Sequence, residues 1–179
     1  NMVPRPRSGE AGVTFEHLRA LADGYDLLRL AIETRKDQIE AFEFEVVPEE
    51  DGVEAAAVQD QIVAAYALLK RPDGKTRWSQ WLRMLVEELL VIDAVAVYPR
   101  ASRAGGLYGL ELVDGATIKR LIDDGGRTPV PPDPAYQQII KGVPAVLYSS
   151  DQLVYWMRNP RVSRMYGYCY DSETEILTQ

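Results

Sequence analysis

The spacing of the apolar residues changes once along this chain, and that change limits what it can fold into. Up to about Asp93 the apolar side chains mostly recur every three or four positions, the period of a helix. Beyond it they fall in short runs separated by turn residues, the pattern of strands. Helices followed by short strands predict an α+β fold rather than alternating β-α-β units.

Thr14 is a good helix N-cap, and Phe15, Leu18, Ala22 and Tyr25 follow it at helical spacing, with Leu28, Ile32, Ile39 and Phe42 continuing the stripe. Gly24 interrupts the pattern, so two helices meeting there are as good a reading as one. Phe42, Phe44 and Val46 then alternate with Glu43 and Glu45, which predicts a half-buried strand ending at Pro48. After a turn at Asp51-Gly52, the stretch VEAAAVQDQIVAAYALLK reads as a helix stopped by Pro72-Asp73-Gly74. A second amphipathic helix is expected over Trp78–Asp93, with Trp81, Leu85, Glu88 or Leu89, and Ile92 at helical spacing. Expected strands are Ala94–Tyr98, Leu107–Val113, Tyr136–Lys141, Val146–Tyr148 and Leu153–Met157. TPVPPDP (128–134) reads as a stiff, extended connector, and 1–13 as a flexible basic arm without the apolar run of a signal peptide.

Few residues here carry chemistry. The chain has one histidine, His17, in the first turn of a helix, where a structural role is the commoner one. With one cysteine as well, neither a Cys/His zinc site nor an internal disulfide can form, and no cofactor is expected. Glycine-rich phosphate loops and the G-x-S-x-G elbow are absent from the text. The acidic runs Glu49-Glu50-Asp51, Glu87-Glu88 and Asp123-Asp124 read as solvated faces or turns, and Trp78, Trp81, Tyr148 and Tyr155 as core or interface anchors. Arg158, Arg161 and Arg164 form the one basic cluster, suited to a DNA phosphate, to an acidic neighbouring subunit, or to water. A net charge of −7 disfavours tight binding to nucleic acid, although an acidic wall lets DNA slide past without sticking. No stretch approaches the roughly 20 apolar residues of a membrane span.

Three segments, TFEHLRALADGYDLLRLAIETRKDQIEAFEFEVVP (14–48), PAYQQIIKGVPAVLY (134–148) and DQLVYWMRNPRVSRMYGY (151–168), resemble portal proteins of tailed bacteriophages. The resemblance implies that 14–168 is the N-terminal part of a wing-like α+β domain, in a subunit of the ring at the capsid vertex. Such a ring, dodecameric by the same resemblance, conducts DNA during packaging and ejection and is not itself an enzyme. Its implied partners are other portal subunits, terminase, capsid and head-completion proteins, and DNA in weak contact. Its implied places are the virion and, during assembly, the host bacterial cytoplasm. An unrelated soluble α+β interaction module is the alternative.

After Tyr168 the text CYDSETEILTQ (169–179) leaves the portal pattern and resembles the opening block of an intein. That resemblance implies that Cys169 is a splicing nucleophile, whose thiol would attack the Tyr168 carbonyl and convert an amide to a thioester. The downstream Thr-x-x-His block and terminal Asn of an intein are not in this text, so the chain alone is expected not to splice.

Overall fold

The computed structural model describes residues 14–48 and 58–160. Four helices come first: α1 (Phe15–Gly24), α2 (Asp26–Glu40), α3 (Gln59–Lys70) and α4 (Trp78–Val91). Six strands follow: β1 (Ala94–Ala101), β2 (Leu107–Val113), β3 (Ile118–Arg120), β4 (Pro134–Ile140), β5 (Val143–Ser149) and β6 (Val154–Met157). The strands form two antiparallel three-stranded sheets, ordered β2-β1-β6 and β3-β4-β5. The fold is α+β.

Thr14 caps α1 as its sequence position predicts, its hydroxyl accepting from the His17 backbone N–H at 3.2 Å. The same hydroxyl lies 3.1 Å from His17 Nδ1, so the histidine belongs to the cap. The stripe does break at Gly24: Tyr25 is extended, and its N–H closes α1 by donating to the Leu21 carbonyl. Asp73 fixes the turn between α3 and α4. Its carboxylate accepts from the backbone N–H groups of Lys75 and Thr76 and from the Thr76 hydroxyl. Desolvation pushes that carboxyl upward, but the Thr76 and backbone hydrogen bonds outweigh it and leave it below the ordinary range. The turn is tied to the sheet by the Leu110 N–H, which donates to the Pro72 carbonyl at 2.6 Å.

The core has two compartments on either side of the first sheet. On one face α4 lays Trp81, with Trp78, Leu85 and Leu89 beside it, against Val95, Val97, Leu110 and Leu112. Trp81 satisfies its indole N–H by donating to the Leu110 carbonyl at 3.0 Å. On the other face Ala96 and Leu153 meet Ile118, Ala135 and Tyr136 of the second sheet. Two tyrosine pairs bridge the sheets, Tyr98 with Tyr148 and Tyr136 with Tyr155, their ring centroids 5.7 and 5.6 Å apart. Successive β1 side chains alternate between the two compartments, as a pleated strand requires.

Three expectations need correction. Residues 42–46 form no strand: among the described residues no strand pairs with them, and Phe42 is 74% exposed. Phe44 instead leans on the Tyr66 and Trp78 rings, and the Val46 N–H donates to the Tyr66 hydroxyl. TPVPPDP is not an extended spacer. It turns at Pro131-Pro132, a cis peptide, and the Asp133 N–H donates to the Val130 carbonyl. The last helix stops at Val91, because Asp93 takes a left-handed conformation, φ 59°, that launches β1. Leu107–Val113 is present with the expected bounds, the other expected strands are present with shifted ends, and the short β3 was not anticipated.

Gly115 supplies a direct test of how closely the layers pack. A Cβ there would stand 2.8 Å from the Ala94 carbonyl oxygen and 3.3 Å from its carbon, both backbone atoms. Gly115→Ala should cost about 1–3 kcal/mol in urea unfolding through overpacking, with the slope of the transition unchanged. A variant as stable as the parent would show that this contact is not tight.

Candidate functional site

The first sheet's helical cover is held on by charge. Arg19 of α1 donates to Glu88 of α4 at 3.0 Å and to Asp114, just past β2, at 2.6 Å. On α2, Arg29, Glu33, Lys36, Asp37 and Glu40 recur at three- and four-residue spacing, which puts them along one side of the helix. That side meets α4. Arg29 pairs with Glu87 at 2.7 Å, Lys36 bridges Glu33 and Glu87, and Arg83 gathers Glu33, Asp37 and Glu40. Lys36 is buried, and its ammonium hydrogen bonds to both Glu33 and Glu87.

These neighbours set the protonation behaviour. Burial pushes the Glu87 carboxyl upward, but hydrogen bonds from Arg29 and Lys36 outweigh it and hold it below the usual value. Glu88, one residue on and more deeply placed, is raised: desolvation dominates, and the Arg19 charge only partly offsets it. Glu33 is lowered, chiefly by its hydrogen bond from Lys36. Arg83 is stabilised as a cation above its ordinary value by Asp37 and Glu40. The acidic pair Glu87-Glu88 is therefore not a solvated face, because both carboxylates sit within contacts between elements.

Between α1, α4 and the end of β2 lies a cleft of about 370 Å³. Arg19, Glu87, Glu88 and Asp114 line it together with apolar side chains such as Met84 and Leu112. Its carboxylates are already matched by Arg19 and Arg29, and its lining contains no histidine, serine or cysteine to act as nucleophile or shuttle. Among the described residues no group of histidine, cysteine and carboxylate side chains is placed to hold a metal ion. No described helix is long and apolar enough to cross a membrane.

Of the sequence-selected residues, Arg158 is exposed directly after β6. Arg161, Arg164 and Cys169 lie outside the described residues, as do the 1–13 arm, the Glu49-Glu50-Asp51 run and the expected start of the long alanine-rich helix. Beside Arg158, Asn159 is fastened to Asp93, whose Oδ1 accepts from both the Asn159 backbone N–H and its side-chain amide at 3.1 Å. Trp78, Trp81, Tyr148 and Tyr155 are the packing anchors expected. The ionic seam was missed, although the charge spacing on α2 was there to be read.

Neither a family model nor a curated protein matches the chain. Solved structures do. A chain in the neck of an empty gene transfer agent (GTA) particle, computed with C6 symmetry, superposes with a TM-score of 0.67 over 92% of this chain, at 13% identity. A chain in the virion of a native GTA particle gives 0.67 over 94%, at 14% identity. The fold is shared with chains of GTA particles. At this identity the likeness is one of fold alone, and this chain spans only 42% and 41% of the lengths of those two neighbours.

Adjacent glutamates with opposite shifts give opposite pH signatures. Glu87 is depressed, so its contribution to stability is present above the ordinary glutamate value of 4.5 and lost as pH falls through its lower folded value. Glu87→Gln should cost about 1–3 kcal/mol at pH 7, less as the solution is acidified. Glu88 is raised, so the parent loses stability as pH rises through that folded value. Relative to the parent, Glu88→Gln should therefore gain with rising pH. Thermal melts carried from pH 7 down to well below pH 4.5 read both slopes, and two slopes of the same sign would refute the assignment.

Proposed function

We propose that the chain is the N-terminal part of a portal subunit in a phage-like particle. It would be a structural, non-enzymatic member of the vertex ring through which DNA is packaged and ejected. The observation carrying this reading is the shared fold with a chain of the GTA neck over 92% of the chain. The portal-like text of 14–48, 134–148 and 151–168 supports it independently. In this reading the α+β body is the outer wing. Its neighbours are other portal subunits, terminase, capsid and head-completion proteins, and its net charge of −7 suits a wall that DNA passes without sticking. Arg158, Arg161 and Arg164 would touch a phosphate or an adjacent subunit.

The text from Cys169 onward supports a second element, an intein opening at that residue. If the gene reads on through a complete intein, expression should yield a ligated portal product, and Cys169→Ala should leave the unspliced precursor.

The portal reading is tested by the mass of the protein produced from the full gene. Mass photometry should show one discrete ring, with the dodecamer expected. A monomer at every concentration would overturn the ring assignment and favour a self-standing α+β interaction module.

A further inference from the structure

Two helical faces in this fold have nothing packed on them among the described residues. Helix α3 buries no residue at all, although its sequence is mostly apolar. Its outer side presents Val63, which is 56% exposed, with the small Ala64 and Ala67. Helix α2 turns Ile32 and Lys36 inward, yet Leu27 and Leu30 are 67% and 64% exposed, with Ala31 and Thr34 completing an outward stripe. Apolar stripes three or four residues apart are what helices use to pack on helices.

The charges at the ends of these stripes match in one orientation only. The stripe of α3 starts at Asp60 and ends at Lys70 and Arg71, and none of the three makes an ion pair among the described residues. The stripe of α2 likewise starts beside Asp26 and ends beside Arg35, the same acid-to-base order along the chain, so opposite charges meet only when the two helices run antiparallel. Nine residues separate the α2 charges and ten separate Asp60 from Lys70, about 13.5 and 15 Å of helix. Laid antiparallel, the cations of α3 fall on Asp26 and its Asp60 falls on Arg35. The helix dipoles favour the same arrangement, since in it the negative C-terminal end of each helix lies beside the positive N-terminal end of the other.

We propose that the outer face of α3 docks antiparallel on the outer stripe of α2 in a second copy of this chain. The two surfaces differ, so each copy offers one to each neighbour. That is the heterologous contact which closes into a ring when the rotation allows. The inference rests on the ring reading and specifies which faces meet.

Intermolecular paramagnetic broadening tests it on the full 179-residue chain, because it detects weak contacts. A nitroxide on Gln61→Cys, in a Cys169→Ser background, is mixed with ¹⁵N-labelled chain. Broadening is expected at amides of Thr34 to Gln38 of α2. Lys70→Glu with Arg71→Glu on the nitroxide-bearing copy should abolish it, and Asp26→Lys on the ¹⁵N-labelled copy should restore it. Gln61, Lys70, Arg71 and Asp26 are exposed, and the ¹⁵N spectrum of each variant reports its folding directly. Broadening that is absent, or centred on another surface such as β6, overturns the pairing. A discrete ring from the full gene without this broadening would sink the pairing and leave the ring. Broadening here with a full-gene product that forms no ring would do the reverse.

Discussion

The structure is organised around one strand whose first half has no solvent side. The first four residues of β1, Ala94 to Val97, are buried, with β2 hydrogen-bonded along one edge and β6 along the other. Val95 and Val97 feed the compartment under α4, whereas Ala96 faces the second sheet. Every other layer is placed by what it must cover on this strand. The size of the side chains sets the spacing, since Ala94, Ala96 and Ala135 are fully buried where the layers come closest. Burial at roughly 25 cal/mol per Å² of apolar surface makes such a strand the main source of cohesion in a domain of this size.

A second kind of cohesion joins α1 and α2 to α4, and it is ionic. An acidic protein has carboxylates to spare, and here they are spent on recruiting Arg19, Arg29, Lys36 and Arg83 into contacts between elements. The seam holds α2 by one side only, which is why its opposite side can carry uncovered leucines without loss of the fold. Glu87 and Glu88 show how local this chemistry is. Neighbours in sequence, they differ because two cations donate to one, while burial outweighs the single guanidinium beside the other.

Much of this was legible in the sequence, and the failures have physical causes. Thr14, Gly24 and Pro72-Asp73-Gly74 act locally, through a cap, a break and a turn, so their consequences appear in the text where they occur. The strands from Ala94 onward were legible because apolar runs between turn residues have few alternatives. The alternation of Phe42, Phe44 and Val46 misled because a strand needs a partner, and no local signal says whether one will be adjacent. The missed β3 is only three residues long and is defined by its pairing with β4. The ionic seam depends on which sides of α2 and α4 face each other, a tertiary fact. Glu87-Glu88 was therefore read as solvated. Cys169, Arg161 and Arg164 lie beyond the described residues, and their roles rest on the text alone.

The Asp93–Asn159 clasp has a mechanical meaning. Asp93 opens β1 and Asn159 follows β6, so two hydrogen bonds to one carboxylate oxygen fasten the strands at the end where Ala94 faces Met157. A pull on the backbone beyond residue 160 would reach this fastening before it reached the β1–β6 ladder. The carboxylate is fully enclosed, so water competes poorly for its bonds. Whatever tension the following chain transmits is thus borne first by a shielded latch, and the interior strand behind it is spared until the latch opens.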